Sequence, residues 1–281
     1  MRIAVTGATG HFGSIVIEQL LERGISASEI VAVVRSAEKA QPLVDRGIDV
    51  RVAEYEDQSA LAEAFSGVDR LVFVSGSEVG QRSAQHKNVI EAAKVAGISL
   101  IAYTSILNIE TSTLGLSPEH RDTEQMLAES GIDYVLLRNG WYWENYASSL
   151  DAARATGKFF GAVGQGRVSG AARRDYAEAA AVVIASENQA GKVYELAGAP
   201  ALTYPELASA MAEVLKTPVE YVNLSVEDYQ QALESAGMSA EYAGLFAGME
   251  PAIGQGALLS ESTDLQQLIG RESTPAVQVL A

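Results

Sequence analysis

The sequence predicts an α/β fold built on a doubly wound parallel sheet, with a smaller, mainly helical C-terminal lobe. Three observations predict it. Short β-branched runs alternate with amphipathic stretches through the first half of the chain, at the spacing of repeated strand–helix units. The runs are apolar throughout rather than at every second position, which suits strands covered on both faces. Glycines stand between a helix pattern and the next strand at Gly24, Gly97 and Gly131, where a left-handed residue closes the last helical turn.

The elements follow in order. Arg2–Thr6 reads as the first strand, and a helix pattern runs from the glycines after it to Arg23. Ile30–Arg35 and Ile48–Val52 are the second and third strands, and Ser59–Phe65 is a helix. Leu71–Val74, the helix Gln85–Ala96 and Ser99–Thr104 follow. Ser117 before Pro118 marks a helix start, a capping hydroxyl followed by a residue with φ already set for the first turn. That helix is expected to reach about Ser130, and Asp133–Arg138 is the sixth strand. Beyond it come an aromatic cluster, a glycine-rich stretch from Gly157 to Gly170, a helix at Asp175–Ser186 and a strand at Lys192–Leu196. From Thr203 the pattern is mostly helical, with strand-like Val219–Asn223 inside it. The expected division is a first domain over 1–138 and a lobe over 139–281, with the segment around 175–196 returning to the first domain.

The chain of 281 residues is 48% hydrophobic and 20% charged, enough to bury a sizeable core. Its net charge of −16 argues against nucleic acid or an anionic membrane as partner, since both require a basic face. It contains no cysteine, which excludes disulfides, thiolate metal sites and a thiol nucleophile. The longest apolar run, Ala179–Ala185, is far below the roughly 20 residues of a membrane span. With no secretory pattern at the amino terminus, a cytoplasmic protein is expected. A homodimer is compatible with the sequence, but no interface signal supports one.

The segment Gly7, Ala8, Thr9, Gly10, His11, Phe12, Gly13 has the spacing GxxGxxG between the first strand and the first helix. The first glycine permits a tight turn, the second lets backbone amides approach a pyrophosphate, and the third lets helix pack on strand. The helix N-terminus then presents its partial positive charge to the phosphates. The second strand ends in Arg35, twenty-two residues after Gly13, where an NAD enzyme would carry an acid for the ribose hydroxyls. A guanidinium there, with Lys39 near it, matches a 2′-phosphate, so the expected cofactor is NADPH. A solvated arginine at a strand end is the plain alternative.

The Tyr-x-x-x-Lys proton shuttle of many reductases on this fold is missing: no tyrosine has a lysine four residues on. His120 and Glu124 share a helix face at i, i+4 and are read as a helix-surface or interdomain contact. Thr104 and Ser105 fit packing or cofactor hydrogen bonding equally. The catalytic group is therefore left unassigned, and the acceptor class shifts. A ketone reduced by hydride becomes a basic alkoxide that needs a placed acid, whereas a quinone becomes a phenolate-like anion that takes its proton from water. Trp141, Tyr142, Trp143 and Tyr146 put four aromatic residues into six positions, against about 0.4 from composition. They lie past the sixth strand, where open α/β sheets bind ligands, and offer faces for a planar guest. Cementing two lobes together is the alternative use.

Four segments together carry a family resemblance: Thr6–Gly13 with Val33-Val34-Arg35, Ser77-Glu78-Val79-Gly80-Gln81-Arg82, Tyr103-Thr104-Ser105, and Leu137-Arg138-Asn139-Gly140-Trp141-Tyr142. The chain resembles the NmrA-like atypical short-chain dehydrogenase/reductase group, and within it the bacterial flavin-free NAD(P)H:quinone oxidoreductases, near triphenylmethane reductase. The likeness runs from residue 2 to about residue 270. It implies that Gly7–Phe12 hold the pyrophosphate and Arg35 the 2′-phosphate. It further implies that Ser75, Gly76, Ser77, Glu78 and Val79 line the ribose and nicotinamide side. Gly140, Trp141, Tyr142, Trp143, Glu144 and Asn145 would close over the nicotinamide, with Arg173 reaching back from the lobe. His11, Phe12 and Glu54 depart from the usual Gln, Leu and Asp. Two activities are compatible with all this: an NADPH-dependent reductase of quinones or similar planar acceptors, and a non-catalytic NADP(H)-binding redox-sensing regulator.

Overall fold

The computed structural model describes every residue from Met1 to Ala281. Six strands and the helices between them come first: β1 (Ile3–Val5), α1 (Gly13–Glu22), β2 (Ile30–Val34), α2 (Gln41–Val44), β3 (Asp49–Val52), α3 (Gln58–Ala64), β4 (Arg70–Phe73), α4 (Arg82–Ala96), β5 (Leu100–Ile106), α5 (Ser117–Ser130) and β6 (Asp133–Asn139). The rest comprises α6 (Ala147–Thr156), β7 (Lys158–Gly161), β8 (Arg167–Val168), α7 (Arg173–Ala185), β9 (Val193–Leu196), β10 (Leu202–Thr203), α8 (Tyr204–Leu215), β11 (Glu220–Asn223), α9 (Val226–Ser235), α10 (Ala240–Gly254), α11 (Asp264–Ile269) and α12 (Ala276–Val279).

The main sheet has seven strands in the order β3-β2-β1-β4-β5-β6-β9, and every pairing from β3 to β6 is parallel. The direction of winding reverses between β1 and β4, the switch point at whose carboxyl ends such sheets bind ligands. The apolar runs explain the order. All five residues of β2 are buried, as are all three of β1, because helices cover both faces. β3, with its sequence Asp-Val-Arg-Val, is only half-buried, and its charges suit an edge. Arg51 there pairs with Asp49 at 2.8 Å and donates to the Ala64 and Ser66 carbonyls. The core beside the sheet is built from Val31, Leu61, Phe65, Phe73, Val89 and Tyr103.

The chain forms two compact units. The first contains Met1–Ile106, Pro118–Asn139 and Arg174–Tyr194, that is, the sheet through β6 with α1 to α4 and all but the first residue of α5 and of α7. The second contains Leu107–Ser117, Gly140–Arg173 and Glu195–Ala281. It is mainly helical and adds two small sheets, β7 with β11 in parallel and β8 with β10 antiparallel. The glycine-rich stretch expected between Gly157 and Gly170 is a zone of close packing. Gly170 lies flat on Trp143, so that a Cβ there would come within 2.7 Å of the indole. No helix is long and apolar enough to cross a membrane.

Candidate functional site

The loop from Gly7 to Gly13 joins β1 to α1 at the switch point. Gly7 has φ +59°, and the Gly10 amide donates to the Gly7 carbonyl at 2.8 Å to close the turn. A Cβ on Gly10 would come within 3.1 Å of that carbonyl, and one on Gly13 would collide with it outright. At Gly7, Gly10 and Gly13 the turn therefore leaves bare backbone. No side chain caps the first turn of α1 and no acid stands in it, so amides and dipole are presented to an anion. This cradle fits a pyrophosphate.

The loop opens onto a cavity of about 340 Å³ within the first unit. Of the expected site residues, the structure brings Gly7, Gly10, His11, Phe12 and Arg35 to this cavity, together with Ser75, Gly76, Ser77 and Glu78. Ala8 is buried beneath the turn, its amide donating to Val33 O, while Thr9 and Val79 are exposed and off the wall. Gly13, Val33 and Val74 line it as well, and sequence reasoning missed Ala53, Tyr55, Glu56 and Gln85, which complete the wall. They follow β3 or sit inside α4 and form no local motif. Their only signal was position, since the carboxyl end of β3 borders the same crevice.

Hydrogen bonds hold the cavity's shape. Thr6 Oγ1 accepts from the Val74 amide at 3.0 Å, and the Tyr55 hydroxyl lies 2.6 Å from Thr6 Oγ1 and 2.7 Å from Val74 O. Burial pushes the Tyr55 phenol well above its usual range, so it stays protonated and serves as a donor. Thr104 Oγ1 accepts from the Ser75 amide at 2.8 Å, which gives that threonine a structural use. Arg35 keeps 72% of its side chain exposed at the rim, and its Nη1 lies 3.3 Å from Glu78 Oε1. Gln85 Nε2 donates both to Glu56 Oε1, at 2.6 Å, and to Glu78 Oε2, at 2.9 Å. A guanidinium that is solvated and loosely paired is free to turn onto a phosphate.

His120 and Glu124 differ from the expected helix-surface or interdomain contact, because α5 turns that face inward onto β5 and β6 of the same unit. His120 is buried with its Nδ1 2.6 Å from the Tyr103 hydroxyl. Burial, aided by the charge of Arg82, pushes its pKa down to about 3, so the ring is neutral. Glu124 accepts from Arg138 Nη2 at 2.7 Å and Nε at 3.1 Å, and from Ser105 Oγ at 2.5 Å. The i, i+4 spacing was right for a shared face, yet the partners come from β5 and β6 and leave no trace in local sequence.

The second unit holds the aromatic segment, and there the cluster divides. Trp143 and Tyr146 are 2% and 6% exposed and join a packed aromatic core with Phe159 and Tyr204. Trp141 and Tyr142 are only half-buried. The Trp141 carbonyl accepts from the Ala171 amide and the Trp143 amide donates to the Ala171 carbonyl, both at 3.0 Å, an isolated bridge that fixes the segment to the stretch just before Arg173. The Arg173 guanidinium sits 5.1 Å above the Tyr142 ring, and its backbone amide donates to the Glu144 carboxylate at 2.9 and 3.1 Å. Trp141, Tyr142, Glu144 and Arg173 thus form one local assembly, which Asn145 joins by donating its amide to the Tyr142 carbonyl at 3.0 Å, whereas the Gly140 amide donates to the Leu196 carbonyl at 2.8 Å. Behind it, the buried Glu250 accepts from the Tyr204 hydroxyl at 2.9 Å and the Ala162 amide at 2.6 Å. Burial raises its pKa above the ordinary carboxylate value, against the pull of those two donors.

Known proteins share this arrangement. A family model described as NAD(P)H-binding matches residues 7–187. Quinone oxidoreductase 2 of Escherichia coli (strain K12) is 50% identical over 272 residues, 97% of this chain and 95% of that protein. The crystal structure of the NADPH-dependent quinone oxidoreductase QOR2 from E. coli, complexed with NADPH, superposes with a TM-score of 0.95 at 49% identity, covering 99% of this chain and 98% of that one. The Citrobacter sp. triphenylmethane reductase complexed with NADP(H) gives the same TM-score of 0.95 at 37% identity, over 99% and 98% of the two chains. With more than half its length matched by the family model and a relative at 50% identity, the chain belongs to the NAD(P)H-binding, NmrA-like family.

Proposed function

We propose that the protein is an NADPH-dependent reductase that delivers a hydride directly to quinones or similarly planar acceptors, without flavin. The observation that carries this reading is the 50% identity, over nearly the full length of both chains, to an enzyme named quinone oxidoreductase 2. The glycine cradle and the solvent-exposed Arg35, held only by a 3.3 Å pair with Glu78, support it from the chain's own geometry. In this reading the backbone of Gly7–Phe12 takes the pyrophosphate, Arg35 takes the 2′-phosphate, and Ser75–Val79 take the ribose side. Gly140–Asn145 and Arg173 serve the nicotinamide end, where Trp141 and Tyr142 keep exposed ring surface for a flat guest.

When bound, the cofactor supplies a hydride from its nicotinamide ring. The quinone gains two electrons and a hydrogen, and one proton from water completes the quinol. The chain's part is to hold donor and acceptor at reacting distance and to stabilise the developing oxyanion. Arg173 carries a permanent charge beside Tyr142, suited to that second task. His120 and Glu124 are committed to Tyr103, Ser105 and Arg138 and take no part as proton donors.

The test is NADPH consumption by the purified protein with a panel of benzoquinone-type acceptors, with triphenylmethane and azo dyes as separate arms. Turnover with quinones is expected. Arg35→Ala should raise the NADPH dissociation constant by about tenfold to a hundredfold, the worth of hydrogen bonds to a charged group, and leave NADH nearly unchanged. Tight NADPH binding with no acceptor-dependent turnover across the panel would overturn the enzyme in favour of a redox-sensing regulator.

A further inference from the structure

The loop Ser75–Gly80 is gripped from behind by side chains that touch no part of the cavity's opening. The Gly76 amide donates to His86 Nε2 at 2.9 Å, and the Gly76 carbonyl accepts from Arg82 Nε at 2.8 Å. Both polar groups belonging to one wall residue are thus bound by side chains four residues apart on one face of α4. Arg82 is fixed in turn by Glu119 of α5: its Nη1 lies 2.9 Å from Glu119 Oε2, and Glu119 Oε1 accepts from the amides of Gly80 and Arg82 at 3.0 and 3.1 Å. His86 accepts at Nε2, so its proton sits on Nδ1 and is donated to Thr123 Oγ1 at 2.8 Å, and that hydroxyl donates to the Glu119 carbonyl at 2.8 Å.

Such a device is costly to bury. Arg82 is 4% exposed and His86 fully buried, and a charge or an imidazole taken out of water must be repaid by bonds it alone can make. A turn that merely reverses the chain needs no buried cation. Gly76 moreover faces Gln85, whose Oε1 would stand 3.1 Å from any Cβ placed there, so the peptide is closely confined on its third side.

We infer that His86 and Arg82, anchored by Glu119, are positioning residues that set the orientation of Gly76 and hence of the Ser75–Glu78 wall against which the nucleotide lies. The inference rests on the cofactor reading above. It gives a use to Arg82, the last residue of the segment Ser77–Arg82, which the nucleotide contacts leave without one. The imidazole must stay neutral to accept from Gly76, and burial, with the nearness of His120 and of the Arg82 charge, pushes its pKa down to about 2.

The experiment measures NADPH dissociation constants by fluorescence titration, with kcat and the acceptor KM, for wild type, His86→Ala, His86→Gln and Arg82→Lys. His86→Ala should weaken NADPH by about tenfold, the worth of one buried hydrogen bond left unmade, while kcat at saturating NADPH moves by less than about twofold. His86→Gln, whose amide oxygen can accept from Gly76, should recover most of that loss. Arg82→Lys keeps the charge beside Glu119 but loses the planar fork that reaches Gly76 O as well, and should weaken NADPH severalfold. The ligand-free wild type should also show His86 as the Nδ1–H tautomer by nitrogen NMR. An NADPH constant unchanged in His86→Ala and Arg82→Lys, a loss confined to kcat or to melting temperature, or a glutamine variant as weak as the alanine would overturn the inference alone. A wild type that binds no NADPH would overturn the cofactor reading and this one with it.

Discussion

The nucleotide end of the first unit and the aromatic segment of the second are both visible in the sequence, one as spacing and the other as a spike of composition. They behave differently in three dimensions. The glycine turn acts through backbone, so a collision between Gly13 and the Gly7 carbonyl is decided by residues six apart. The aromatic segment acts through side chains, whose use depends on what the rest of the fold lays against them. Trp143 is closed off by Gly170 and Tyr146 by Phe159 and Tyr204, while Trp141 and Tyr142 stay partly open. A site made of backbone is written locally; a site made of side chains is only half written until it is buried.

Substitutions can break that contrast or sharpen it. The largest effect is expected from Gly13→Ala, which places a methyl against backbone that cannot yield. NADPH titration should then find no measurable affinity, whereas retained binding would mean that the turn is not the cradle. Trp143→Ala should act oppositely, lowering stability by about 3–5 kcal/mol as a core aromatic does, with NADPH affinity in the surviving folded fraction near wild type. Urea denaturation alongside titration separates the two.

Next come the buried histidines. The folded pKa values of about 2 for His86 and about 3 for His120 lie below the ordinary 6.5, so the folded state resists protons that the unfolded chain accepts. Their contribution is fully present above pH 6.5 and falls as the pH drops toward those folded values, by about 1.4 kcal/mol per pH unit for each ring. In denaturation series from pH 7 downward, the proton uptake of these two rings on unfolding should rise from about half a proton at pH 7 to close to two near pH 5, reduced by about one there in His120→Gln. The smallest effect is expected from Tyr142→Ala, which removes a ring that holds Arg173 by an interaction worth about 0.5–1 kcal/mol. A rise of a fewfold in acceptor KM, with the NADPH constant steady, is the expected reading. An effect as large as that of Trp143→Ala on stability would place Tyr142 in the core instead.

Much of the architecture was legible for the same reason as the turn. Gly24, Gly97 and Gly131 adopt φ of +85°, +76° and +78°, so the helix ends fall where punctuation put them. The alternating units and continuous apolar strands sufficed for a doubly wound sheet. Legibility ended where partners are distant. His120 and Glu124 looked like surface residues because Tyr103, Ser105 and Arg138 meet them only after β5 and β6 pair. Glu119 and Thr123, which brace the loop through Arg82 and His86, gave no signal at all. Tyr55 and Gln85 entered the cavity wall unannounced, since each is recognisable only by where β3 and α4 end up.

Thr6 has a consequence for the whole crevice. Its hydroxyl oxygen ties the ends of β1 and β4 to Tyr55, at 3.0 Å from the Val74 nitrogen and 2.6 Å from the phenol. The gap through which a visitor passes is therefore gauged by one oxygen atom shared among three crossing segments. Spreading these strands would forfeit that clasp, so a wider crevice here would have to come from the loops.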